Sequence, residues 1–312
     1  NLIGAELLFK TEDDPCIQPE YIEEMQGVAD GAGVNLAEIV MINSRSEPME
    51  PISQEEAQQE CTAFSVIPPA SANGEVLAGQ NWDFSWAHRT AVVILRILPS
   101  DGKPGILMFP EAGMIGAMGM NDAGISLTLN ALSSPAKAYG VPLHIRMRQI
   151  LEQTTVDKAY GKTVRGDRPA AANLIITHKD GISLDLEIDP DGIDVLQPEN
   201  GVIVHTNHFI GPKFATRCHA FGGSTYIRYQ RICAHLKGKT ELTKEHIKAA
   251  LRDHAGYPDG VCKHNLLADK EGGIWYGATN FSLIMYPQKG SAEFAYGNPC
   301  ESEYVTLWVK EG

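Results

Sequence analysis

Residues 46–64 read Ser-Glu-Pro-Met-Glu-Pro-Ile-Ser-Gln-Glu-Glu-Ala-Gln-Gln-Glu-Cys-Thr-Ala-Phe, and the change of texture inside this stretch decides how the chain is read. Up to Glu60 it holds two prolines and five glutamates with almost nothing to bury. Such a segment lacks the apolar surface that would offset the entropy of ordering, so residues 46–60 are expected to be an exposed connector. Cys61 follows directly, and from Thr62 the pattern switches to the two-residue period of a strand. A polar connector therefore runs straight into a thiol at the first position of a strand.

Upstream, residues 18–32 place Tyr21, Ile22, Met25 and Val28 at helical spacing after Pro19, with Gly31 and Gly33 as punctuation, and residues 36–43 repeat the pattern. Downstream, hairpins are predicted from 62–68 and 76–82 around Ser71-Ala72-Asn73-Gly74, from 91–98 and 106–109, and from 114–120 and 124–131. A helical block at 142–153, extended over 156–160, precedes strands at 173–177, 182–188 and 202–206. A second block covers 225–236 and 242–252, and a hairpin from 275–286 and 293–296 closes the chain. Antiparallel hairpins interrupted by two helical blocks predict an α+β layered fold, two stacked sheets with helices outside, in one domain spanning 1–312.

Bulk properties narrow the function classes. The 312 residues carry a formal net charge of −13, which argues against nucleic acid as partner because phosphate binding needs clustered cations. No apolar run is long enough to span a membrane. No charged-then-apolar leader opens the chain, which suggests a cytoplasmic protein, although it starts at Asn1 and not at methionine, leaving an upstream segment open. Six cysteines without a Cys-x-x-Cys pair suggest reduced thiols, neither a zinc knuckle nor a disulfide scaffold. His205-x-x-His208 lacks a third ligand at sensible spacing, so no metal is expected. The glycine-rich 113–124 stretch lacks the strand–helix context of a dinucleotide site and reads as a tight hairpin.

The chemistry lies at Glu60-Cys61. Breaking that bond would give Cys61 a free α-amine, which titrates near pH ~7.7–8 and so can serve as a general base on the residue that carries the thiol. Pre-placed geometry of this kind supplies roughly 7–11 kcal/mol of a barrier in the best intramolecular cases. The same thiol can cut the precursor by attacking the Glu60 carbonyl, with water resolving the thioester.

Several motifs then carry a resemblance: Cys61-Thr62-Ala63-Phe64, Gly79-Gln80-Asn81-Trp82-Asp83-Phe84 and Val204-His205-Thr206-Asn207-His208. Weaker ones stand at 38–45, 111–116, 228–231 and 277–281. In this order, from about Tyr21 onward, the chain resembles the acyl-coenzyme A:6-aminopenicillanic acid acyltransferase family, distantly related to the choloylglycine hydrolases. The resemblance implies a four-layer αββα N-terminal-nucleophile (Ntn) hydrolase fold and self-cleavage into residues 1–60 and 61–312, which stay together as a heterodimer. It also implies Cys61 as the nucleophile of an amidase or acyltransferase acting through an acyl-thioester. By motif position Asp83 orients the new amine and thiol, and Asn207 supplies the oxyanion-hole amide. Arg228 pairs with Asp83 or with a substrate carboxylate, and Asn81, on the face of the strand that Asp83 occupies, can polarise the site. No cofactor is implied; a small-molecule amide or acyl-CoA is the expected substrate. The chain departs from the family pattern at Trp275-Tyr276, where a serine–arginine pair is usual, and at Asp189, where a serine is usual. These three are candidate substrate-binding residues for a different acyl or amine group. Two other readings compete: a non-catalytic binding protein on the same fold, and a papain-like cysteine protease, which would want its cysteine at a helix N-terminus.

Overall fold

The computed structural model describes residues 17–47, 60–136, 138–217, 222–270, 272–273 and 276–311. Among them, two antiparallel sheets stack face to face. The first orders β10 (Val202–His205), β1 (Glu60–Val66), β2 (Leu77–Ser85), β11 (Gly277–Tyr286), β12 (Ser291–Tyr296) and β13 (Val305–Trp308). The second orders β3 (Leu95–Ile97), β4 (Ile106–Met108), β5 (Gly119–Asn121), β6 (Ile125–Ala131), β7 (Ala172–His178), β8 (Ile182–Asp189) and β9 (Gly192–Leu196).

Alternation along each strand sorts the residues onto two faces. Phe64, Val66, Leu77 and Ile284 turn outward from the first sheet and pack on α5 (Ser224–Leu236) and α6 (Lys244–Leu251) through Ile232, Leu236, Ile247 and Leu251. Leu127, Leu174 and Ile176 turn outward from the second sheet toward α3 (Leu143–Leu151) and α4 (Val156–Val164), meeting Met147, Ile150 and Ala159. Against α3 lie α1 (Pro19–Ala32) and α2 (Leu36–Asn43), which bury Tyr21, Met25, Ala29, Ile39 and Val40 on Ile145. Pro19 starts α1 and Gly33, at φ 70°, ends it, while Asn35 and Glu38 close a reciprocal cap on α2. The layer order is the expected αββα. Among the described residues no helix is long and apolar enough to cross a membrane.

The space between the sheets is divided. Near Cys61 it is aromatic, with Trp82 stacked on Phe281 at 5.2 Å and Phe109 on Phe294 at 5.2 Å. Further along β1 it becomes polar: Thr177 Oγ1 donates to Ser65 Oγ at 2.9 Å, and Gln80 bridges the sheets by pairing with both the N–H and the C=O of Leu129.

The structure corrects several expectations. The predicted strand over 114–120 shrinks to β5, because the Ile115 N–H donates to Asn43 Oδ1 and its carbonyl accepts from Arg148. That backbone serves two helices and not a ladder. The strand over 91–98 shrinks to β3, the residues before it forming a tight helical turn, Trp86–Ala91. β9 and β13 are additional to the strands the pattern predicts. The connector's described ends are docked and not exposed: Ser46 pairs with His144, Glu47 accepts the Leu143 N–H, and Glu60 is buried in β1. Residues 48–59 lie outside the described residues.

Gly79 faces Ile284 across the central β2–β11 pair, where an added methyl would sit 2.0 Å from the Leu283 carbonyl oxygen. Gly79→Ala is expected to cost ~1–3 kcal/mol and lower the thermal midpoint by roughly 1.5–5 °C in a calorimetric scan.

Candidate active site

Cys61 is the second residue of β1, buried with Trp82 opposite it on β2. Its thiol faces the space between the sheets, whereas Glu60, Thr62, Asn81 and Asp83 point to the other face by alternation. The backbone of Cys61 is held at both ends. Its N–H donates to Asn207 Oδ1 at 2.8 Å, and its carbonyl accepts from Arg228 Nη1 at 2.5 Å. Arg228 also donates to Thr62 Oγ1 at 3.1 Å and, through Nη2, to Asn207 Oδ1 at 2.9 Å.

One face of α5 makes this arrangement. Arg228 lies three residues after Thr225 and four after Ser224, the helical spacings that bring each of them beside it. Ser224 donates to Glu60, Thr225 Oγ1 accepts the Asn207 N–H at 2.8 Å, and Arg228 grips Cys61. The loop carrying Asn207 is fixed from the opposite side by Glu187 of β8. This buried carboxylate accepts the N–H of Gly211 at 3.0 Å and that of Ile210, and pairs with His205 Nε2 at 2.9 Å. With its other nitrogen on the Thr206 carbonyl, His205 has both ring positions engaged inside the protein and does not pair with His208 as a metal ligand. Asn207 Nδ2 donates to the Ala131 carbonyl at 3.0 Å.

Two residues outside the sequence-derived set complete the surroundings. Lys263 forms an ion pair with Glu60 and reaches Asp259 at 3.1 Å. Thr279 of β11 donates to Asp83 Oδ1 at 2.6 Å and receives the Lys263 N–H at 2.9 Å. Thr279 stands in one of the weaker motifs, which was the available signal; nothing in the local sequence marks Lys263.

Burial dominates the electrostatics. It pushes the Cys61 thiol up, and the nearby Asp83 charge adds to this, while the Asp83 backbone N–H opposes it by bonding the sulfur. Burial works against the Glu60 carboxylate as well, but Arg228 and Lys263 overcome it and hold Glu60 below its ordinary value. For Asp83 burial prevails over Arg228, Thr279 and Lys263, and the carboxyl is pushed up from 3.8 to about 7. Its Oδ2 is buried without a hydrogen-bond partner among the described residues.

The other candidates are spread out. Asn81 shares the Asp83 face but commits its amide to the carbonyls of Leu251 and Val261, 2.8 Å each, tying α6 and the following loop to the sheet. Tyr276 is half exposed beside the end of β2, its carbonyl accepting the Trp86 N–H at 3.0 Å. Asp189 sits in the β8–β9 hairpin and accepts the Asp191 N–H at 2.9 Å, so it belongs to a turn and not to the surroundings of Cys61 described above. Trp275 lies outside the described residues.

A folded-state value raised above the unfolded one means that Asp83 contributes stability below about pH 3.8, a contribution lost as pH rises through about 7. Asp83→Asn should therefore unfold at higher denaturant than the parent at pH ~8, by on the order of 2–4 kcal/mol, with the advantage gone near pH ~4. Stability–pH profiles of the two proteins that ran parallel across this range would mean that Asp83 titrates at its ordinary value.

Known proteins resemble the chain in sequence and in fold. The chain is 34% identical over 286 residues, 90% of its length and 76% of the relative's, to the acyl-coenzyme A:6-aminopenicillanic-acid-acyltransferase 40 kDa form of Emericella nidulans. The fold matches a Caenorhabditis elegans N-acylethanolamine-hydrolyzing acid amidase ortholog, with a TM-score of 0.53 and 16% identity over 73% of this chain and 93% of that one. It also matches a mutant conjugated bile acid hydrolase from Clostridium perfringens, with a TM-score of 0.53 and 14% identity over 81% and 97% of the two chains. These likenesses establish the Ntn hydrolase fold. With residues 70–301 matching its family profile, the chain belongs to the acyl-coenzyme A:6-aminopenicillanic acid acyl-transferase family.

Proposed function

We propose that the chain cleaves itself between Glu60 and Cys61 and then uses Cys61 to carry an acyl group as a thioester, passing it to water or to an amine. Residues 1–60 and 61–312 remain associated as a heterodimer. Acyl-CoA or a small amide serves as donor, as the name of the Emericella nidulans relative suggests. The observation that carries this reading is the double hold on the Cys61 backbone, with the N–H on Asn207 and the carbonyl on a fully buried Arg228. The β1–β10 ladder starts only at Ala63, so at Cys61 side chains take over the hydrogen bonds of the buried backbone. Fixing that peptide keeps the sulfur and the carbonyl before it in a constant relation, which is where an intramolecular attack gains its rate.

In the cleavage step the Cys61 thiol gives up its proton to water and the sulfur attacks the Glu60 carbonyl carbon. The C–N bond breaks as the amine takes up a proton, and water hydrolyses the thioester to leave Glu60 as a new C-terminus. The released ammonium then offers the unpaired Asp83 Oδ2 a partner. In the acyl-transfer cycle the neutral amine becomes the base for the thiol, and the developing oxyanion is received by amide N–H donors, with Asn207 as the side-chain candidate. The half-exposed Tyr276, at the same end of β2 as Asp83, is positioned to meet the substrate.

Intact mass spectrometry of the purified protein should show two fragments meeting at Glu60–Cys61, and Cys61→Ala should give one folded, uncut chain. A Cys61→Ala protein that still splits at this bond would refute the self-cleavage. Asn207→Ala should lower kcat by roughly 10²–10³, with native circular dichroism in whatever cleaved fraction forms. Incubation with N-acyl amides and acyl-CoA donors should leave an acyl adduct on Cys61 and on no other cysteine; an adduct elsewhere points to a different nucleophile.

A further inference from the structure

Away from Cys61, on the loop between α6 and β11 and on the turn after β12, four side chains converge: His254, Cys262, His264 and Cys300. Their candidate ligand atoms all lie within 4.8 Å of one another. The two sulfurs are 3.5 Å apart, and His264 Nε2 is 3.6 Å from Cys262 Sγ and 3.4 Å from Cys300 Sγ. The two imidazole Nε2 atoms are separated by 3.1 Å. A tetrahedron with Zn–S near 2.3 Å and Zn–N near 2.0–2.1 Å has edges of roughly 3.8 Å between sulfurs, 3.5 Å between sulfur and nitrogen, and 3.3 Å between nitrogens. These four separations lie within about 0.3 Å of those edges, and the remaining two, from His254 to the sulfurs, lie within 4.8 Å.

We infer that His254, Cys262, His264 and Cys300 form a tetrahedral zinc site. Two thiolates and two imidazoles fill all four positions, so the ion is structural, with no vacancy for substrate or water. The surroundings match the outer shell of such sites. Both His264 contacts to sulfur use Nε2, leaving Nδ1 turned toward Glu301 at 3.8 Å, and Asn298 Nδ2 donates to Cys262 Sγ at 3.6 Å. His254 is exposed, which gives the ion a route in from solvent.

The site joins the loop between α6 and β11, which carries Lys263, to the turn after β12. That residue stands between Cys262 and His264, and its backbone is fixed to Thr279 and to Asn298. Zinc at this point therefore positions the lysine that grips Glu60, acting through the loop and not on substrate. The irregular spacing hides the cluster from the sequence, with Cys300 36 residues beyond His264.

The test uses the full chain, expressed with zinc and purified without a polyhistidine tag or chelator. Elemental analysis should find about one zinc per chain. Replacement by cobalt should produce thiolate-to-metal charge transfer in the near ultraviolet and the intense visible bands of tetrahedral cobalt. Cys262→Ser and Cys300→Ser should each lose most of the metal, while Cys233→Ser keeps it. A wild-type chain that retains no zinc, a Cys262–Cys300 disulfide in its intact mass, or cysteine variants that keep full metal would each overturn the proposal. The cobalt spectrum of the unaltered protein decides the matter even if the variants fail to fold.

Discussion

A guanidinium without exposed surface organises this site. Arg228 reaches β1 from the first turns of α5, and its charge is taken up by the Cys61 carbonyl, the Thr62 hydroxyl and the Asn207 amide oxygen, with the Glu60 carboxylate 3.8 Å away. Stranding a buried cation costs on the order of 3–5 kcal/mol, so these groups have to arrive together or the arrangement does not form. Helix, strand and loop are fixed relative to each other by that requirement. The hold on Cys61 follows from it.

Around the arginine the charges are unevenly balanced. Glu60 is kept ionised by two cations, whereas Asp83 is deep enough for burial to overcome the same cations and move its titration toward neutrality. A carboxyl that ionises near neutrality can stabilise an ammonium released beside it. The distinction arises from depth and neighbours, since both acids lie directly opposite each other on adjacent strands. Behind Asn207, the His205–Glu187 pair brings a second polar layer between the sheets. Its effect is to fix the loop after β10, because a buried carboxylate accepting two backbone N–H groups leaves that loop little freedom.

Much of the fold was legible because its signals are local. Helical periodicity located α1, α2, α3, α5 and α6 within a few residues, and alternation located β1, β2, β6, β7 and β8. The failures have a common cause. Residues 114–118 carry strand-like composition, yet the Ile115 N–H and carbonyl bond to Asn43 and Arg148, partners that no window of neighbouring residues contains. β13 is a mostly exposed edge whose pattern is weak, since an edge strand has only one neighbour to satisfy.

The candidate site divides in the same way. From the sequence alone came the polar connector meeting a thiol at a strand start, and the motifs that single out Cys61, Asp83, Asn207 and Arg228. Tertiary structure alone decided that Arg228 holds the carbonyl of Cys61, 167 residues away, and that Lys263 meets Glu60 across 203. It also decided that Asn81 anchors a loop and that Asp189 closes a hairpin. Backbone preference depends on residues a few positions apart and is written in the local pattern. The partner of a buried charge depends on which surfaces the layers press together, and only the packed chain fixes that.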